Sequence, residues 1–93
     1  MDERKLAIRL MHYGPDKQRL QTIEELSELE AEIARDLNGK GDPYALRCEL
    51  ADVLVMLTQL MVIYDIDPDD IEKVISFKLE RQLGRIEREK SQD

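Results

Sequence analysis

The stretch CELADVLVMLTQLMVIY, residues 48–64, decides how this chain is read. Twelve of the fifteen residues from Leu50 to Tyr64 are hydrophobic, which marks the segment as the part of the chain most in need of burial. Its β-branched, Leu and Met residues alone are compatible with a strand, but roughly 20 residues without a breaker favour a helix. Glu49 and Asp52 stand at the head of this helix, three residues apart and therefore on one side of it. Carboxylates are seldom buried without a partner, and two unpaired ones in a helix core are either costly or forced to protonate. The residues leave three explanations open: salt bridges to Arg47, Arg81 or Arg85, a position at an exposed rim, or a cation shared with other acids.

Outward from this helix, Gly and Pro mark the joints. YGPD (Tyr13–Asp16), NGKGDP (Asn38–Pro43) and DIDPDD (Asp65–Asp70) divide the chain into four segments. The first, Asp2 to Tyr13, reads as a short helix. The second, about Pro15 to Leu37, spaces Leu20, Ile23, Leu26, Leu29, Ile33 and Leu37 by threes and fours, which puts them on one helical side. The third begins at Asp42-Pro43 and runs to about Tyr64; the fourth begins at Asp67-Pro68 and runs to about Glu89. Both starts pair a capping Asp with Pro at the first helical position. Four helices with short connections predict one all-α, four-helix bundle-like domain over residues 1–93, with a charged end, about 88–93, that frays. A chain of 93 residues builds a modest core, and the third helix is apolar almost all round. A homodimer or a dimer of dimers is therefore expected.

Composition narrows the functional classes. Hydrophobic residues make up 42% and charged residues 38%, with a formal net charge of -7. Counterion release from a phosphate backbone needs clustered Lys and Arg, and stacking on single strands needs aromatics, which are only 4% here with Trp absent. A nucleic acid polymer is not the expected partner, and neither is an anionic membrane surface. The N-terminus MDERKLAIRL lacks the apolar core of a secretory signal, and no run is long and apolar enough to span a bilayer. A soluble cytoplasmic protein is the expectation. Cys48 has no second Cys to pair with and reads as a small core residue, while His12 reads as a surface or packing residue.

The second helix carries a polar stripe beside its apolar side. Glu24, Glu25, Glu28 and Glu32 fall within a sector of about 100°. Like charges at this spacing repel, and more strongly when enclosed. Such a stripe is either a solvated acidic face or one half of a site, with Glu25 and Glu28 facing Glu49 and Asp52 across an antiparallel helix pair. Four carboxylates in one place call for cations between them. Mg²⁺ fits, with Mn²⁺ as a substitute, because it prefers hard oxygen ligands and shares its coordination with substrate phosphates. No Cys/His cluster exists for Zn²⁺.

EELSE (Glu24–Glu28), followed after twenty residues by ELAD (Glu49–Asp52), resembles the EExxE…ExxD signature of MazG-like nucleoside triphosphate pyrophosphohydrolases. These belong to the all-α NTP pyrophosphatase superfamily, and the resemblance covers roughly Tyr13 to Ile86. It implies metal-dependent cleavage of a (deoxy)nucleoside triphosphate to the monophosphate and pyrophosphate. It further implies a MazG fold in an oligomer, with Glu25, Glu28, Glu49 and Asp52 as metal ligands. Glu24 and Glu25 are the catalytic candidates it implies, with Glu24 either orienting the attacking water or completing a further metal's shell. Lys78, Arg81 and Arg85 form a basic stripe on the fourth helix, and Lys78 and Arg81 resemble the family's K-x-x-R segment that meets substrate phosphates. The nearest enzymatic alternative is a phosphoribosyl-ATP pyrophosphohydrolase, which shares the acidic pairs. The alternative from another class is a non-catalytic helical interaction protein whose acidic stripe is solvated.

Overall fold

The computed structural model describes residues 1–92 and, among them, contains four helices and no strand. They are α1 (Glu3–Tyr13), α2 (Pro15–Leu37), α3 (Pro43–Ile63) and α4 (Pro68–Ser91). The starts are fixed as the sequence signals require. The Asp42 carboxylate accepts from the Tyr44 amide at 2.9 Å and that of Asp67 from the Asp69 amide at 2.9 Å, each ahead of a first-turn Pro. Asp2 does the same for α1, accepting from the amides of Arg4 and Lys5. The fourth helix continues two residues past Glu89, to Ser91. Asp93, the last residue of the expected frayed end, lies outside the described residues.

Two connections set how the helices meet. Gly14 alone joins α1 to α2, at φ 84, a conformation open to glycine and strained for a side chain. The second joins α2 to α3 as an antiparallel hairpin, closed by Gly39 at φ 75 and by the Lys40 amide donating to the Arg35 carbonyl at 2.9 Å. Gly41 lies so close to α2 that a Cβ there would sit 2.7 Å from the Asp36 Cα. At the far end of the pair the Arg19 guanidinium lies over the Tyr64 ring, 5.9 Å from its centroid. Helix α1 crosses α3, where Gln59 Nε2 donates to the Leu6 carbonyl at 3.1 Å and Arg9 Nη2 lies 3.9 Å from Met56 Sδ.

The core is small: Leu6, Val53 and Met56 are its buried apolar residues, joined by buried Gln18, Thr22 and Gln59. The expected four-helix bundle is not closed within one chain. Helix α4 buries no residue, and the radius of gyration is 17.1 Å where a compact chain of this length would have about 12 Å. The apolar side of α2 (Leu20, Ile23, Leu26, Ile33) is exposed, because α2 turns Gln18, Thr22, Glu25 and Leu29 toward α3 instead. Leu50, Leu54 and Leu57 of α3 are exposed too. The expectation of a core Cys48 is corrected: the thiol is exposed, since the buried side of α3 runs through Val53, Met56 and Gln59. None of the described helices is long and apolar enough to cross a membrane.

Two glycine substitutions test this packing in opposite directions. Gly41→Ala must displace backbone and is expected to lower unfolding free energy by about 1–3 kcal/mol. Gly84→Ala lies inside α4, where its Cβ would meet only Arg88 Nη1 at an ordinary 3.5 Å. It is expected to stabilise by about 0.5–1 kcal/mol. Urea denaturation of both variants checks the pair.

Candidate metal centre

The antiparallel α2–α3 pair brings Glu25 of α2 against Glu49 and Asp52 of α3, with one carboxylate oxygen from each lying within 4.8 Å of the others. Spacing explains the convergence. Glu49 and Asp52 are one turn apart on α3, and Glu25 and Glu28 one turn apart on the facing helix. Glu25 and Glu49 are half-buried, and Asp52 opens to solvent. Glu25 Oε2 and Glu49 Oε2 are buried and have no hydrogen-bond partner.

The electrostatics of the cluster are uncompensated. Burial, then the charges of Glu28 and Asp52, push the Glu25 carboxyl above its ordinary value, opposed by a hydrogen bond offered by Gln21. Neither Glu25, Glu28, Glu49 nor Asp52 takes part in an ion pair among the described residues, so the expected alternatives through Arg47, Arg81 or Arg85 are not formed there. Arg35 feels the charge of Glu49, but its guanidinium is bonded to Glu32. Two buried carboxylate oxygens without donors, in an all-oxygen set, fit a hard divalent cation such as Mg²⁺ or Mn²⁺. Oxygens around one Mg²⁺ stand roughly 3–4 Å apart, so a cluster within 4.8 Å needs only a small contraction to share an ion.

The remaining predicted residues are distributed differently. Glu28 is exposed and adds its charge beside Glu25, and Glu24 is exposed and lies outside the clustered three. Lys78 and Arg81 are exposed on α4, where with Gln82 and Arg85 they line a shallow basic groove of their own. One chain does not bring them to the carboxylates, since α4 makes no extended contact with the other helices. The structure adds three side chains that sequence reasoning missed. Arg9 is half-buried against Met56, itself one turn from Asp52 on α3, and forms no ion pair among the described residues. Gln18 and Gln59 are buried on the same seam. The available signal was Gln59 itself, an amide interrupting an apolar run seven residues after Asp52 and therefore on the same side of the helix.

The raised Glu25 carboxyl carries a sign for stability. The folded chain holds this proton more tightly than the unfolded chain, so in metal-free protein stability falls as pH rises from the ordinary Glu range through the raised value. Glu25→Gln in chelator-treated protein is therefore expected to raise the melting temperature at neutral pH by about 2–6 °C and to remove that part of the pH dependence. Thermal melts across the acid-to-neutral range measure both effects.

Compared with protein families, curated proteins and solved structures, the chain matches none of them.

Proposed function

We propose that the chain is a divalent-cation-dependent nucleotide pyrophosphohydrolase of the MazG-like kind, cleaving a (deoxy)nucleoside triphosphate to the monophosphate and pyrophosphate. Its role would be to trim surplus or non-standard nucleotides in the cytoplasm. One observation carries the reading: Glu25 Oε2 and Glu49 Oε2 are buried without partners in the same cluster as Asp52. A merely solvated acidic face would turn those oxygens to water, where they cost nothing.

Glu25, Glu49 and Asp52, with Glu28 at the rim, would hold the ion. Bound there, Mg²⁺ or Mn²⁺ supplies the positive charge that lets an acidic protein take a triphosphate and lowers the pKa of the attacking water. The chain's own groups do the rest. Glu24, exposed and next to Glu25 in sequence, would be the carboxylate to orient that water and accept its proton. Arg9 offers a guanidinium fork for a phosphate oxygen from across Met56.

A homodimer, or a dimer of two such dimers, completes this reading. The exposed side of α3 (Leu50, Leu54, Leu57) and that of α4 (Ile75, Leu79, Leu83) are unpartnered apolar stripes at helical spacing, the kind of surface a second copy covers. Lys78 and Arg81 lie on the same α4 and would approach a triphosphate as part of such an assembly.

Turnover of a panel of canonical and modified (d)NTPs with Mg²⁺ should release pyrophosphate and the monophosphate; release of inorganic phosphate instead would contradict the mechanism. Phosphoribosyl-ATP belongs in the panel, since its selective cleavage would identify the histidine-pathway alternative. Calorimetry without any Mg²⁺ or Mn²⁺ binding would leave a helical interaction protein as the better account. Glu28→Gln and Asp52→Asn are each expected to lower hydrolysis by about 10²-fold or more while circular dichroism stays helical. For the assembly, Leu54→Glu should shift sedimentation from dimer toward monomer.

A further inference from the structure

Helix α4 buries no residue, yet its pattern is that of a helix meant to be covered. Ile75, Leu79, Leu83 and Ile86 are exposed and fall on one side of it at helical spacing. Lys78, Arg81 and Arg85 run along one flank of that side, and none of them takes part in an ion pair among the described residues. The uncovered area is large. The chain exposes 7755 Å², where a compact chain of 10.9 kDa exposes about 5,600 Å². The excess is well above the roughly 800 Å² that each partner gives to a standard stable interface.

A matching surface lies on α3. Leu50, Leu54, Leu57 and Met61 follow one another at spacings of three and four on its outward side. Met61 also walls a groove of about 570 Å³ between α1, the end of α3 and the α3–α4 connection, with Leu6, Leu10, Val62 and Ile66. The outward stripe therefore runs into the groove. The charged residues lining the groove are Glu3, Asp65 and Asp67, all acidic, and none is ion-paired among the described residues. An apolar trough edged by acids fits an amphipathic helix with bases on one flank. Helix α4 is such a helix, and within one chain it makes no extended contact with the others.

We propose that α4 of a second copy lies along the outward side of α3 and seats Leu83 and Ile86 in this groove, with Arg85 at the acids, and that the exchange is reciprocal. This arrangement is the interface of the homodimer proposed above and rests on that reading. Charge sets its direction. Around α4 the bases stand about 100° behind the apolar residues, and around α3 the groove side, with Thr58 and Val62, stands about as far ahead. The two flanks coincide only when the helices run the same way. Lys78 precedes Arg85 by seven residues, as Asp52 precedes Gln59 of the groove lining. Lys78 of the second copy thus comes level with Asp52 of the first, so the carboxylate site gains a cation from the other copy.

The test is sedimentation of the full chain over a concentration series without nucleotide, which makes it independent of any hydrolysis assay. Leu83 and Val62 are 55% and 59% exposed in the single chain, so a charge at either is compatible with its fold, and circular dichroism checks this. Leu83→Glu and Val62→Glu are each expected to raise the dimer dissociation constant by about 10²-fold or more, since each buries an unpaired charge in the interface. Arg85→Glu is expected to raise it about tenfold, and adding Glu3→Lys to the same chain to bring it back within about threefold. If Leu83→Glu or Ile23→Glu (on the outward side of α2) moves the constant and Val62→Glu does not, α4 docks elsewhere. That result overturns the groove assignment and leaves the homodimer reading standing. A wild type that stays monomeric at every concentration defeats both.

Discussion

The structure depends on an unusual seam. Where α2 meets α3, the buried positions are Gln18, Thr22 and Gln59 beside Val53 and Met56, with Glu25, Leu29 and Glu49 half-buried. Burial of polar groups is tolerable when each finds a partner. Here Thr22 finds one locally, its hydroxyl donating to the Gln18 carbonyl at 2.7 Å, while Glu25, Glu49, Gln18 and Gln59 keep atoms with none. Hydrophobic cover alone would not choose this seam, since α2 has a better apolar side facing away. A seam of this composition makes physical sense when something polar or cationic enters it.

That constraint orders the other features. The hairpin between α2 and α3 has to hold two repelling faces in register, and the tight fit of Gly41 against Asp36 fixes one end while Arg19 over Tyr64 fixes the other. Helix α1 seals the seam through the Leu6 carbonyl and lays the Arg9 guanidinium against Met56. The apolar sides of α2 and α3 are then left outward, and the chain stays extended.

Much of this was legible before the structure. Breaker clusters and Asp-Pro caps located all four helices to within two residues, because caps are local chemistry. The i, i+3 spacing of Glu49 and Asp52 reported which side of α3 they occupy, for the same reason. The side of α2 that turns inward was not legible. Apolar periodicity identifies a stripe that needs cover without identifying what covers it: Leu20, Ile23, Leu26 and Ile33 read as one apolar side of α2, and that side is exposed. Cys48 was misjudged on the same ground, from apolar neighbours in sequence rather than neighbours across a seam. Gln18 and Gln59 matter through the register between two helices, which no single segment encodes.

Helix α4 has a further consequence for how stability is spread along the chain. It buries nothing, so its helicity rests on local terms: the Asp67 cap, Asp69 and Asp70 in its first turn, Arg88 and Lys90 in its last. Such terms contribute about 0.3–1 kcal/mol each, whereas most helical stability in proteins comes from packing of an apolar face. Among the described residues α4 has no such packing, so it is the least supported of the four helices. Its amide hydrogens then exchange with solvent through local opening, while those of the α2–α3 pair wait for the larger opening of the seam.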